Sequence, residues 1–140
     1  MVEEIKLDFY SGYTATYIFL ENLWDHLQET ISDKDKEDFG ALMGVAYGNP
    51  SWETDWEDAL EKFYGRKINR SSQIFSRDLF KVFIIFVTIF HEKFGYPCPF
   101  LLELLNGMEK SPNQFKNEWG LWKAAARDAS SGNYNNFGQG

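Results

Sequence analysis

Hydrophobic residues recur every three or four positions over three stretches in the first half of the chain. This spacing aligns the apolar side chains along one side of a helix, where they can face a core. Ser32 and Ser51 precede the second and third stretches, and serine is a preferred helix N-cap. The pattern predicts helices over residues 13–31, 33–47 and 52–64.

The longest apolar run, VFIIFVTIF at residues 82–90, predicts a fourth helix that is hydrophobic on most sides. It would begin near residue 73 or 77 and end at residue 94, and such helices lie in the middle of bundles. A buried strand is the alternative, because periodicity does not separate strand from helix in short apolar runs. We favour a helix because the apolar pattern exceeds a dozen residues and stops at Gly95, with Pro97 beyond it.

Two further helices are expected in the last third of the chain. Pro99 opens a short one that Asn106-Gly107 would close, and Ser111-Pro112 starts the last. The final stretch, SSGNYNNFGQG, is polar and glycine-rich and is expected to be mobile.

The composition is that of a globular protein, with 44% hydrophobic and 18% aromatic residues in 140. The elements add up to a compact all-α, single-domain helical bundle of five to seven helices around the hydrophobic helix at about 77–94. We expect the domain to span residues 1–130, with a flexible C-terminal tail over 131–140.

Several features predict a cytoplasmic protein that does not span a membrane. The apolar run at 82–90 is nine residues long, whereas crossing a bilayer takes about 20. The start of the chain, MVEEIKLDFY, lacks the basic and apolar regions of a secretory signal. The single cysteine, Cys98, is typical of a reducing compartment.

Charge is distributed very unevenly along the chain. Residues 1–62 contain fifteen acids and four lysines, for a net charge of −11, whereas residues 63–140 contain ten basic residues and six acids. The whole chain carries −7, which disfavours binding to nucleic acid or to anionic lipid.

Two series of acids are spaced four residues apart, so that each series lines one face of its helix. We call them the helix-one ladder (Glu21, Asp25 and Glu29) and the helix-three ladder (Glu53, Glu57 and Glu61). Like charges at this spacing destabilise a helix by about 0.2–0.5 kcal/mol per pair, so an ordinary solvated face would interleave lysines.

Two interpretations of the ladders stay open. In the first, the acids only keep an aromatic-rich protein dispersed and suit the helix dipole of a first turn. In the second, they form an outward surface that recognises a strongly basic partner. The candidate partner-binding residues are Glu21, Asp25, Glu29, Glu53, Asp55, Glu57, Asp58 and Glu61.

No catalytic or metal-binding motif is present, so we expect neither an enzyme nor a cofactor. His26 and His91 lack the neighbouring ligands of a metal site, and Cys98 has no cationic neighbour that would activate it. No glycine-rich phosphate loop occurs.

A basic segment follows helix three and has two interpretations of its own. Its cations could contact phosphates, although the rest of the molecule repels a polyanion. Alternatively, they balance the acidic helix that precedes them. The basic residues concerned are Arg66, Lys67, Arg70, Arg77 and Lys81.

The sequence therefore suggests a small binding protein that neutralises or regulates a basic protein partner, such as a toxin or nuclease. In its small size and acidity the chain is similar to bacterial immunity proteins and other nuclease inhibitors, without sharing a motif with them. A self-assembling adaptor or structural subunit, joined through its acidic and basic halves, is the alternative. The sequence leaves the oligomeric state open.

Overall fold

The computed structural model describes residues 5–48, 52–94 and 99–131 of the chain. In chain order, the elements are β1 (Lys6–Leu7), α1 (Phe9–Leu27), α2 (Asp33–Gly48), α3 (Trp52–Tyr64), β2 (Ile74–Phe75), α4 (Ser76–Phe94), α5 (Pro99–Lys110), a 3-10 turn (Pro112–Gln114) and α6 (Lys116–Ser131). The predicted all-α bundle is confirmed, with six helices in the described part of the chain.

Two helix starts are explained by their caps. Asp8 is the N-cap of α1, and its side chain accepts a hydrogen bond from the backbone N–H of Ser11 at 2.8 Å. Ser32 caps α2 as predicted, because its Oγ accepts a hydrogen bond from the backbone N–H of Asp35 at 3.1 Å. The second predicted cap, Ser51, lies outside the described residues.

Several boundaries differ from the prediction. Helix α1 spans Phe9–Leu27, so it begins and ends four residues earlier than expected. Helix α6 begins at Lys116, after the 3-10 turn, and α5 continues through Asn106-Gly107 to Lys110. Gly107 serves packing there instead of ending the helix. A Cβ at this position would lie 2.9 Å from the ring of Phe115, so only glycine allows that ring to approach so closely.

The sequence analysis missed a small antiparallel sheet formed by β1 and β2. Lys6 pairs with Phe75 and Leu7 with Ile74, and the N–H of Ser76 donates to the carbonyl of Ile5 at 2.7 Å. Strands of two residues are too short to show the alternation that identifies a strand. The sheet joins the start of the chain to the start of α4.

The core is rich in aromatic residues and lies mainly around α1 and α4. Helix α1 packs most extensively on α6, and α4 packs on α3, α5 and α1. Trp122 of α6 shows how the elements interlock, because its ring lies 5.4 Å from that of Phe19 and its Nε1 donates to the carbonyl of Ser76. The predicted central helix is thus α4, which packs on three other helices and keeps an exposed side. Its buried side chains are Leu79, Phe80, Val82, Phe83, Phe86 and Val87.

Among the helices described, none combines the length and hydrophobicity needed to cross a bilayer. Gly95, Pro97 and Cys98 lie outside the described residues, as does the predicted tail from residue 132 onward.

Candidate functional site

Two tryptophans anchor the acidic helix α3 to the first turns of α1. Trp52 stacks on Tyr13 with ring centroids 4.2 Å apart. Trp56 is fully buried, and its Nε1 donates a hydrogen bond to the carbonyl of Phe9 at 3.1 Å. These contacts hold one side of α3 against the core and leave the other side to its charged residues.

The N-terminal end of the helix-three ladder is neutralised from within the chain by Arg70. Its Nη1 lies 2.5 Å from Oε2 of Glu53, and its Nε lies 3.4 Å from Oε2 of Glu57. The same Nη1 donates to the hydroxyl of Tyr10 at 3.1 Å. Glu53 and Glu57 therefore do not present uncompensated charge, contrary to the interpretation in which the whole ladder forms an outward acidic surface.

Arg70 is also held against the start of α1. Its guanidinium carbon lies 4.3 Å from the centre of the Phe9 ring, and its carbonyl accepts a hydrogen bond from the N–H of Phe9 at 3.1 Å. The hydrogen bonds with Tyr10 and Glu53 raise the pKa of Arg70 above its usual value. The guanidinium is accordingly charged at neutral pH, as arginine side chains in proteins are.

Asp55 does not belong to an outward surface. Asp55 is only 3% exposed, so a partner cannot contact it from outside. Its prediction as a partner-binding residue therefore does not fit its position. A signal was present in the sequence, because Asp55 is three residues from Trp52 and four from Ala59, on the apolar stripe itself. Burial, followed by the charge of Asp55, raises the pKa of Tyr13 above the usual range of tyrosine.

The C-terminal end of the ladder borders an open groove between α3 and α4. Its volume is about 590 Å³, and its lining residues are Asp58, Glu61, Lys62, Gly65, Ile89 and Glu92. Three of these are carboxylates and one is a lysine. Asp58 and Glu61 have no ion-pair partner among the described residues, so this end of α3 keeps its negative charge.

The helix-one ladder lies apart from the contacts between α1 and α3. Asp25 and Glu29 are exposed, whereas Glu21 is half-buried and already interacts with another group of the chain. Helix α3 touches α1 at Phe9 and Tyr13, and Asp25 lies about 18 Å further along the axis at 1.5 Å per residue. The exposed acids Asp25 and Glu29 therefore lie well beyond the part of α1 that contacts α3.

His26 and the basic segment have structural partners. His26 Nε2 lies 3.4 Å from Oε2 of Glu118, across the contact between α1 and α6. Arg70 balances the acidic helix as one interpretation of the basic segment predicted, and Arg77 lies over the ring of Phe75 at 5.4 Å. Arg66, Lys67 and Lys81 are exposed.

Within the described ranges, no group of three or more His, Cys, Asp or Glu side chains is arranged to hold a metal ion. One interpretation of the sequence had the basic segment balance the acidic helix, but it did not identify Arg70 as the residue that pairs with Glu53 and Glu57. The partners are seventeen and thirteen residues apart, so no helical spacing brings them together.

Comparison with known proteins gives no match: no family model, no curated protein and no solved structure resembles this chain. A functional proposal therefore depends on the geometry and charge of the described surface.

Proposed function

We propose that this chain is a cytoplasmic protein-binding module that neutralises or regulates a basic protein partner through the groove between α3 and α4. The observation on which this proposal depends is the set of three carboxylates at the groove, Asp58, Glu61 and Glu92, with Lys62 as the one basic residue among the described side chains that line it. Lysine or arginine side chains of a partner would complement that charge.

The shape of the region also suits a protein partner. The groove is open and contains Ile89 beside its carboxylates, so an incoming side chain can bury apolar area as well as form ion pairs. Since the chain carries −7 overall, a basic partner would be attracted from a distance before it reaches the groove. Partners of this chemistry include toxins and nucleases with cationic surfaces that bind nucleic acid.

Asp25 and Glu29 form a second, separate acidic region in this proposal. Both residues are exposed and neither lines the groove. We assign them to long-range attraction and the groove to close contact. Exposed charges at a rim chiefly affect the rate of association.

The proposal is tested with a triple charge reversal at the groove, Asp58→Lys, Glu61→Lys and Glu92→Lys. Proteins retained by the wild type at low salt are identified, purified and used to measure association rates. We expect the triple variant to associate at least about tenfold more slowly with the true partner, because steering and close ion pairs are both lost.

The matched control reverses three exposed acids on other helices, Glu103→Lys, Glu109→Lys and Asp128→Lys. Both triple variants change the net charge equally, so a difference between them reports the location of the charge. Equal slowing by the two variants would show that the groove has no special role. Salt-dependent association of the chain with itself, removed by the groove variant, would instead support the self-assembling adaptor.

A further inference from the structure

The segment that connects α3 to β2, residues 65–73, runs back along α3 and places Arg70 over its first turns. We call this segment the strap. It begins at Gly65, whose φ of 73° turns the chain out of the helix, and it ends where β2 pairs with β1. The side chain of Asn69 accepts a hydrogen bond from the N–H of Ser71 at 2.9 Å, which forms a tight turn around Arg70.

Arg70 forms ion pairs with Glu53 and Glu57, as a lysine or arginine side chain of a basic partner would. Its guanidinium contacts both carboxylates, yet the three side chains remain accessible, at 37% for Arg70, 41% for Glu53 and 36% for Glu57. Ion pairs this exposed are weak because water and salt screen them. An external cation can therefore reach and compete for the same oxygens.

Resting on the proposed function, we propose that Arg70 is an autoinhibitory internal ligand: the strap places it on Glu53 and Glu57, and a basic partner that docks on α3 displaces it. The acidic face then extends from the groove to the first turn of α3. One end of the strap is held by the sheet and the other by the C-terminus of α3. The Arg70 side chain can therefore move away without unfolding the sheet or the helix.

The need to displace Arg70 reduces the apparent affinity of the protein for a partner. Only molecules with Arg70 released offer all of the ladder, so the apparent dissociation constant is divided by the fraction released. Removing Arg70 would abolish this competition and strengthen binding. It would also lengthen the acidic stripe that a partner contacts.

The test measures binding of a labelled nona-arginine peptide at low ionic strength. We expect Arg70→Gln to bind about three- to tenfold more tightly than the wild type. Arg66→Gln is the matched control, because Arg66 is exposed on the same strap and the net charge changes equally. It should alter affinity by less than about twofold. Adding Glu53→Gln and Glu57→Gln to Arg70→Gln should remove the gain.

A second variant keeps the test decisive if Arg70→Gln does not fold. Tyr10→Phe removes the hydroxyl that accepts from Arg70 Nη1, leaves the net charge unchanged and should strengthen peptide binding by about twofold. Peptide binding that depends on Asp58, Glu61 and Glu92 but is no tighter in Arg70→Gln than in Arg66→Gln would overturn the autoinhibition alone. Failure of the wild type and of every variant to bind would overturn the proposed function as well.

Discussion

The two ends of α3 have the same acidic stripe but face different neighbours. At the N-terminal end, Glu53 and Glu57 meet the guanidinium of Arg70, which the strap brings back along the helix. At the C-terminal end, Asp58 and Glu61 line the groove together with a further acid, Glu92. Identical spacing on one helix therefore leads to a compensated end and an uncompensated end.

The ends also differ in how firmly they are attached to the core. Trp52 and Trp56 pack on Tyr13 of α1, and Trp56 has contact with Phe86 of α4 as well. Toward the C-terminus, Phe63 is only half-buried and packs edge-on against its neighbour Tyr64. The N-terminal end of α3 is therefore the structural anchor, and the C-terminal end is the less firmly packed part of the helix.

The largest expected effect is the loss of the anchor. Trp56→Ala should lower the free energy of unfolding by about 3–5 kcal/mol, because it empties a buried site and removes the hydrogen bond to the Phe9 carbonyl. Phe63→Ala should cost no more than about 2 kcal/mol, since its ring is half-exposed. Urea unfolding measures both, and equal losses would contradict the assignment of the anchor to one end.

An intermediate effect is expected at high pH. Burial raises the pKa of Tyr13 in the folded protein, so above about pH 10 the unfolded chain loses this proton while the folded chain keeps it. The stabilisation is complete below about pH 10 and is lost as the pH rises further, by on the order of 1 kcal/mol at about pH 11.

Tyr13→Phe should remove that part of the alkaline loss, as measured by urea unfolding at about pH 9 and about pH 11. The comparison residue is Tyr64 at the other end of α3, whose pKa is raised by its more limited burial and by Asp78. Tyr64→Phe should change the alkaline loss less. A Tyr13→Phe variant with the full pH dependence of the wild type would contradict this assignment.

The smallest effects should have opposite signs at the two ends. Glu53→Gln with Glu57→Gln removes the partners of Arg70 and should lower the stability by up to about 1 kcal/mol, since the pairs are exposed and screened. Glu61→Gln removes a like-charge repulsion with Glu57 and should raise the stability by about 0.2–0.5 kcal/mol.

Thermal unfolding at low and high salt measures the stability of both variants. Added salt screens the charges, so both differences in stability from the wild type should become smaller. Changes of the same sign in the two variants would mean that Arg70 does not compensate the N-terminal end of α3.

The helix predictions were right in some places and wrong in others because they depend only on local features of the sequence. Apolar spacing placed α2, α3 and α4 within a few residues of their observed bounds, because hydrophobic periodicity and caps are local properties. The prediction was wrong at Asn106-Gly107, where a close approach of the Phe115 ring retains glycine inside a continuous helix. A turn signal and a packing requirement look alike in a single sequence.

The sequence alone determined that the chain forms an all-α bundle and that its first half carries the excess of acids, since both follow from residue spacing and composition. Only the tertiary structure decided which acids are exposed. It buried Asp55, directed Arg70 onto Glu53 and Glu57, and left Asp58 and Glu61 at an open groove. The physical reason is that electrostatic compensation depends on distances in space, and these pairs are joined by a returning strap and not by a helical repeat.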